Sequence, residues 1–387
     1  MKMTSYKRDS ANCLPKLCVI TQRLPNREGS DVLVTDLLRV LEPIASEIFV
    51  ISGNFPEKSI SGKIHVLNIK NSNKRRSMFV RTLNYLIEQI KVSMKIAKLP
   101  RDVDIVIFYI GANFYIFGNL IAKLLKKKTV IIVTGSAACA KNIYGNNVFP
   151  VIMIALEKFA YNLTDHIIVE SKSIISQLGL KRYKKKIILG GSFFDTNLFR
   201  LEKSISQREE LVGYIGRLGE EKGIINFVTA IPLILKKRTD LKFLIGGDGQ
   251  LREQIEKFLS FNNLLDKVEF KGWIPRDQLV NYYNEFKLLV VPSYFESIPI
   301  VALEAMACGT PVLATPVGGI TDVIKDEENG FILQNNLKET IADAVVNILK
   351  SSILDDISKS AHSYIQNDFT FASATERYRA ILNDIRP

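Results

Sequence analysis

Apolar runs of about five residues recur along the chain between longer stretches in which apolar positions return every three or four residues. In the first half the runs are LCVIT (17–21), EIFVIS (47–52), DIVIFYI (104–110), TVIIVTG (129–135) and HIIVES (166–171). The second half repeats the rhythm with ELVGYIG (210–216), KFLIGGDG (242–249), KVEFKG (267–272), LLVVPS (288–293) and PVLAT (311–315). The alternation predicts β-strands joined by helices. Runs that are continuous rather than alternating predict strands covered on both faces, as in doubly wound parallel sheets. Between the halves, Lys203 to Glu210 is polar and unpatterned. The expected organisation is therefore two Rossmann-like α/β domains, residues 1–200 and 207–365, facing a central cleft, with a C-terminal helix (366–387) packing back on the first. Ligands of such sheets bind beyond the carboxyl ends of the strands, so the residues that follow each strand are the candidates for chemistry.

Residues 105–122 carry no charge and approach the length of a membrane span, but Gly111, Asn113, Gly118 and Asn119 interrupt them. The pattern predicts strand, loop and helix there. The total length of 387 residues suits two domains, each with its own core. The net charge of +12 is unevenly spread: residues 1–200 hold 31 Lys and Arg against 14 Asp and Glu, and the remainder 21 against 26. Clusters such as Lys74-Arg75-Arg76, Lys126-Lys127-Lys128 and Lys184-Lys185-Lys186 fit either solvated faces or attraction to an anionic membrane or acidic acceptor. No helix-turn-helix, RNA-recognition or zinc pattern accompanies the charge, so nucleic acid is not the expected partner. Cys13, Cys18, Cys139 and Cys308 lack metal-ligand or disulfide spacing, and the first residues have no signal-peptide layout. Both point to the cytoplasm, with peripheral attachment to the inner face of a membrane as an extension.

The stretch Pro292 to Val312 (PSYFESIPIVALEAMACGTPV) carries the most chemistry. It predicts strand, loop, helix, stop and strand. Pro299 suits the first helical turn, where no donor is needed, and Gly309 and Pro311 end the helix. Glu296 falls in the loop and Glu304 about two turns on. The amides around Ser297, Ile298, Pro299, Ile300 and Val301 would head the helix, offering free N–H groups and the positive end of its dipole to an anion. Carboxylates beside such a site suit a sugar joined to a diphosphate, because they accept hydrogen bonds from hydroxyls.

The full string closely resembles the Glu, seven residues, Glu signature of the family 4 glycosyltransferases, together with its Ala-Met-Ala-Cys-Gly-Thr-Pro-Val continuation. The resemblance extends to Gly213-Tyr214-Ile215-Gly216-Arg217-Leu218 and Glu221-Lys222-Gly223. In the family these segments hold the donor diphosphate through their Arg and Lys. Gly246-Gly247-Asp248-Gly249 is similar to a donor-side strand end, and Lys271-Gly272-Trp273-Ile274-Pro275 to the segment that meets the nucleobase. Val317 to Ile324 with Glu328 to Phe331 matches the closing segment, read as structural glycine turns and a helix. The first half departs more. The glycine-rich loop is reduced to Arg27-Glu28-Gly29-Ser30, with Gly29 at the matching position, and no His follows TVIIVTG. No His is therefore assigned a catalytic role.

The resemblance implies the GT-B fold and retaining transfer from a nucleotide-diphosphate sugar, with uridine or guanosine as the nucleoside. The implied assignment makes Arg217, Lys222 and Glu296 catalytic. Gly29, Gly216, Gly246, Trp273, Ile274, Ser297, Ile298, Pro299, Ile300, Val301 and Glu304 then bind the donor. A guanidinium and an ammonium stabilise a leaving diphosphate electrostatically, so neither a metal ion nor another cofactor is expected, and no Asp-x-Asp motif is present. The expected acceptor is a saccharide or a lipid-linked glycan precursor. The single-glycine loop and the missing His keep a second reading open, a nucleotide-sugar-binding protein without catalysis; a sugar-nucleotide epimerase is a third.

Overall fold

The computed structural model describes residues 14–22, 30–53, 55, 62–69, 78–134 and 148–386. The chain divides into two compact units: Met1–Val169 with Tyr183–Gly190 and Thr375–Pro387, and Glu170–Arg182 with Gly191–Ala374.

In the first unit, strands β1 (Lys16–Thr21), β2 (Glu47–Ser52), β3 (Ile64–Asn68), β4 (Ile105–Tyr109), β5 (Lys128–Val133), β6 (His166–Val169) and β7 (Ile187–Leu189) form one parallel sheet in the order β3-β2-β1-β4-β5-β6-β7. The central strands are almost wholly buried, which is why they read as unbroken apolar runs. The uncharged stretch 105–122 is divided between β4, a short turn at Ala112–Phe114 and a helix from Ile116. Among the described residues, no helix is long and apolar enough to cross a membrane.

In the second unit, β8 (Leu211–Ile215), β9 (Lys242–Gly246), β10 (Val268–Gly272), β11 (Leu288–Val291), β12 (Val312–Ala314) and β13 (Phe331–Ile332) form a second parallel sheet, ordered β10-β9-β8-β11-β12-β13. Successive residues of one strand serve opposite layers. Leu288 and Val290 join Phe227, Ile231 and Val345 on one face, while Leu289 and Val291 join Leu303, Met306 and Ala361 on the other. Each such side chain contributes roughly 1.5–3 kcal/mol by leaving water, so both faces hold the sheet flat against helices. In each sheet the strand order reverses at one place, between β1 and β4 and between β8 and β11. Such reversals open crevices at the carboxyl ends of the strands.

The division falls earlier than the boundary expected between residues 200 and 207: residues 170–182 and 191–200 pack with the second unit. The polar segment Lys203–Glu210 is not a loose linker either. Arg208 is buried and donates through Nη1 to the carbonyls of Tyr283 (3.1 Å) and Phe286 (2.9 Å) and to Thr310 Oγ1 (2.8 Å). Its Nη2 donates to the carbonyls of Lys203 (2.8 Å) and Cys308 (2.6 Å). One guanidinium thus ties three stretches of the second unit together: its own segment from Lys203, the end of the helix Arg276–Glu285, and the Cys308–Thr310 loop. The helix Phe371–Ile385 belongs to the first unit from Thr375 onward, where Thr375 Oγ1 donates to the Val40 carbonyl (3.3 Å) and Arg377 Nε to that of Gly190 (3.1 Å).

Candidate functional site

The crevice between β8 and β11 is built by two loops that clasp each other. The first follows β8 through Gly216 and Arg217 to a 3-10 turn at Glu220–Lys222, and Gly223 then opens the helix Ile224–Leu235. The second follows β11 from Pro292 to Pro299. Tyr294 donates its amide to the Glu221 carbonyl at 2.9 Å, and Asn226 Nδ2 donates to the Tyr294 hydroxyl at 2.9 Å. Gly223 has φ +64°, and a Cβ there would overlap the Pro292 carbonyl oxygen. Only glycine lets the two loops approach this closely.

That approach joins the two residues that carry the site. Lys222 Nζ lies 2.7 Å from Glu296 Oε1, which also accepts from Ser293 Oγ at 2.7 Å. The Glu296 carboxylate is buried, at 8% side-chain exposure, while the Lys222 side chain keeps 26%. Arg217 stands nearby with its side chain 66% exposed, held by Glu221 at 2.6 Å. Below the Glu296 loop lies the segment after β12. Gly319 donates its amide to the Glu296 carbonyl at 3.3 Å, and a Cβ at Gly318 would overlap that same oxygen. These glycines are a floor on which Glu296 rests as well as a turn.

The helix Ile300–Ala307 begins beside this loop. Pro299 is its cap rather than a residue of its first turn, and its carbonyl accepts from the amides of Ala302 (2.9 Å) and Leu303 (3.2 Å). Ile300 and Val301 stand ahead of that turn, where amides have no carbonyl before them in the helical ladder. Ile298 is buried in the core, so it contributes backbone and packing. Glu304 is buried, 3% exposed; Arg276 Nε donates to its Oε1 at 3.3 Å and the Tyr283 hydroxyl to its Oε2 at 3.2 Å. Burial first, and the Glu304 carboxylate second, push the Tyr283 phenol well up, so it stays a donor. At the far end of the helix, His362 Nδ1 sits 2.6 Å from the Ala307 carbonyl, a helix-terminal contact.

The glycines of β8 to β10 stitch the strand ends together. Gly216 donates to the Gly246 carbonyl (3.0 Å) and Gly247 to that of Gly272 (2.6 Å), and a Cβ at Gly247 would overlap the Gly216 oxygen. Gly246 faces Ile215 and Ile274, whose side chains would meet an added Cβ. Trp273 is half exposed beside them. Gly29 lies outside the described residues, as do Gly135 and Ser136.

Sequence reasoning singled out neither Arg276 nor Tyr283, and it passed over Glu170. Glu170 follows β6 directly, and Ser297 Oγ donates to its Oε2 at 3.4 Å. Burial pushes its carboxyl up to about 7. Its place after a strand end was a usable signal; Arg276 and Tyr283 lie in an ordinary amphipathic helix and gave none. The arrangement gathers two cations, two buried carboxylates and a helix start at one crevice. It can hold an anion against Arg217, Lys222 and the amides while the carboxylates accept from hydroxyls.

Comparison with known proteins is consistent with this geometry. Residues 195–369 match the family model described as glycosyl transferases group 1. An uncharacterized glycosyltransferase of Methanocaldococcus jannaschii is 36% identical over 176 residues, 43% of this chain and 45% of that protein. A second from the same organism is 28% identical over 326 residues, 82% of this chain and 85% of that protein. The match thus spans just under half the length of the first relative and most of the second. Among solved structures, sucrose-phosphate synthase from Thermosynechococcus elongatus superposes with TM-score 0.77 at 20% identity, covering 96% of this chain and 99% of that one. The likeness establishes the GT-B fold.

Proposed function

We propose that this chain, a member of the glycosyl transferases group 1 family through residues 195–369, transfers a sugar from a nucleotide-diphosphate donor to an acceptor hydroxyl with retention of configuration. The observation that carries the reading is the Lys222–Glu296 pair at 2.7 Å, set at the strand-order reversal between β8 and β11 with Arg217 and the helix start beside it. As the anomeric carbon–oxygen bond breaks, the bonding pair leaves on the diphosphate. Arg217, Lys222 and the Ile300 and Val301 amides stabilise that charge without giving up a proton. The leaving oxygen takes the proton of the acceptor hydroxyl, which attacks from the same face. Glu296 positions the sugar, and Glu304, oriented by Arg276 and Tyr283, accepts from the ribose hydroxyls. Gly246, Trp273 and Ile274 border the nucleobase.

In this scheme the two cations do the work that a metal would otherwise do, and no cofactor takes part. Activity abolished by a chelator and restored by a metal would overturn that. The acceptor proposed is a saccharide or lipid-linked glycan precursor at an anionic membrane surface, for which the basic first unit provides support. The test is a screen of nucleotide sugars by nucleotide release, with the anomer of the product read by NMR and Glu296→Ala and Lys222→Ala as controls. Release with one uridine or guanosine donor, lost in both variants and giving a retained anomer, supports the reading. Donor binding without turnover, or an inverted product, refutes it.

A further inference from the structure

Among the described residues, the first unit presents one helical face with exposed apolar side chains. The helices Met78–Ala97, Ile116–Leu124 and Val148–Leu163 follow β3, β4 and β5, and right-handed crossovers running in one direction lay them on one side of the sheet. They pack in a row. Gln89 Nε2 donates to the Phe114 carbonyl (2.6 Å) and Phe117 donates its amide to Gln89 Oε1 (3.2 Å). Asn113 Nδ2 reaches Glu157 Oε1 at 3.0 Å.

On the outside of this row, large apolar side chains stand in water. Ile90 and Met94 do so on the first helix, Leu124 on the second at 77% exposure, and Ile152 and Phe159 on the third. Among the described residues the charged side chains exposed on these helices are lysines; one of them, Lys123, is paired with Asp165 at 2.7 Å just beyond the third helix. Lys98, Lys123, Lys126 and Lys158 are exposed, whereas the carboxylates of the same helices turn inward. Glu88 accepts from the Tyr115 hydroxyl, and Glu157 is buried and accepts from the Tyr161 hydroxyl at 3.0 Å. At one end of the row a cavity of about 310 Å³ is lined, among the described residues, by Asn68, Ile69, Lys91, Met94, Lys95 and Lys98, which bring three ammonium groups to it.

We infer that this three-helix face docks on an anionic phospholipid bilayer, its apolar side chains entering the headgroup boundary and the Lys91–Lys95–Lys98 cavity seating a lipid phosphate. Exposed apolar area alone would fit many partners. Its combination, among the described residues, with exposed lysines such as Lys98, Lys126 and Lys158, and with the helices' own carboxylates drawn inward, is complementary to an anionic bilayer. The inference deepens the membrane-surface acceptor proposed above and rests on it for its biological purpose. Its test needs neither donor nor acceptor.

The experiment is flotation of the full chain with vesicles of phosphatidylcholine, alone or mixed with phosphatidylglycerol, alongside sedimentation of the protein without lipid. The chain is expected to float with the mixed vesicles and not with phosphatidylcholine alone, and less at high salt as the Debye length contracts from about 10 Å at 0.1 M. Ile90→Asp with Leu124→Asp lowers the partition at least about tenfold, and Lys98→Gln lowers it roughly fivefold, the equivalent of about 1 kcal/mol for one lysine at the surface. Phe261→Asp, at an 88% exposed site of the second unit, leaves partition unchanged. Equal flotation with both vesicle types, or aspartate variants that float like the parent chain, overturns the inference. So does a dimer in sedimentation that the aspartate variants split while no vesicle binds, since the face would then belong to a second copy. Donor turnover in solution, measured on the same variants, stays at the parent level, so failure of docking and failure of the transferase reading are told apart.

Discussion

Lys222→Met tests whether the lysine acts on the departing diphosphate or only holds Glu296 in place. Breaking a fully buried ion pair costs about 3–5 kcal/mol by leaving one charge unpaired. Here the Lys222 side chain is a quarter exposed, and Glu296 keeps its 2.7 Å bond from Ser293. The expected destabilisation is therefore about 1–3 kcal/mol, read from urea midpoints. Glu296→Gln costs less, about 1 kcal/mol, because the freed ammonium can turn to water. The double variant should be more stable than Lys222→Met, since neither charge is left alone. Turnover should behave differently. Loss of one donor to a developing anion costs about 10²–10³ in kcat, or roughly 2.7–4 kcal/mol. If Lys222 contacts the diphosphate, the double variant turns over at least about tenfold more slowly than Glu296→Gln alone. Equal turnover in those two proteins would refute the assignment and leave Lys222 as a positioning residue for Glu296.

Three further outcomes follow from the same coordinates. Gly223→Ala should cost at least about 2 kcal/mol, from a left-handed backbone and overlap with the Pro292 carbonyl, and should lower turnover by shifting Lys222; unchanged midpoints would mean that the loops do not meet as described. Arg208→Met should cost about 3–5 kcal/mol through the acceptors it orphans, with little change in donor affinity among the molecules that remain folded, as checked by chemical denaturation and donor titration. Glu170 has a folded pKa raised to about 7 from an ordinary 4.5, so the folded state binds the extra proton between those values. Its contribution is present below pH 4.5 and is lost as pH rises through about 7. Glu170→Gln should therefore gain about 1–3 kcal/mol on the parent chain across that window, and a pH-independent difference would contradict it.

Ten strands were legible, most of them because their runs are buried on both faces and carry no alternation to confuse them; β10, an edge strand of partial burial, was legible from its place in the repeating rhythm before Gly272. The three that were not, β3, β7 and β13, lie at sheet edges or end a sheet, and their burial is partial. An edge strand needs an apolar face only where it meets a helix, so IHVLN and the three-residue IIL give no distinct run. The site divides in the same way. Glu296, Glu304, Arg217 and Lys222 stand in strings whose turn and cap residues mark their place. Arg276 and Tyr283 reach Glu304 from a separate helix, and no spacing within a sequence reports a contact across 20 or more positions. Arg208 looked like part of a polar linker because its six bonds are all to backbone carbonyls and one hydroxyl, groups that every sequence has.

The first unit is not finished when its own first 190 residues have been made. Its last helical stretch, from Thr375, is translated only after the whole of Gly191–Ala374, and it supplies Thr375 against Val40 and Arg377 against Gly190. At ribosomal speeds of about 5–20 residues per second, the second unit can be complete while the first has waited about 10–40 s for its closing piece. During that interval the docking site of the helix, including the Val40 and Gly190 carbonyls, must stay uncommitted. Expression yield should thus be unusually sensitive to elongation rate and to chaperones that shield an incomplete first unit, while a protein released before residue 375 would carry a finished second unit on an unfinished first.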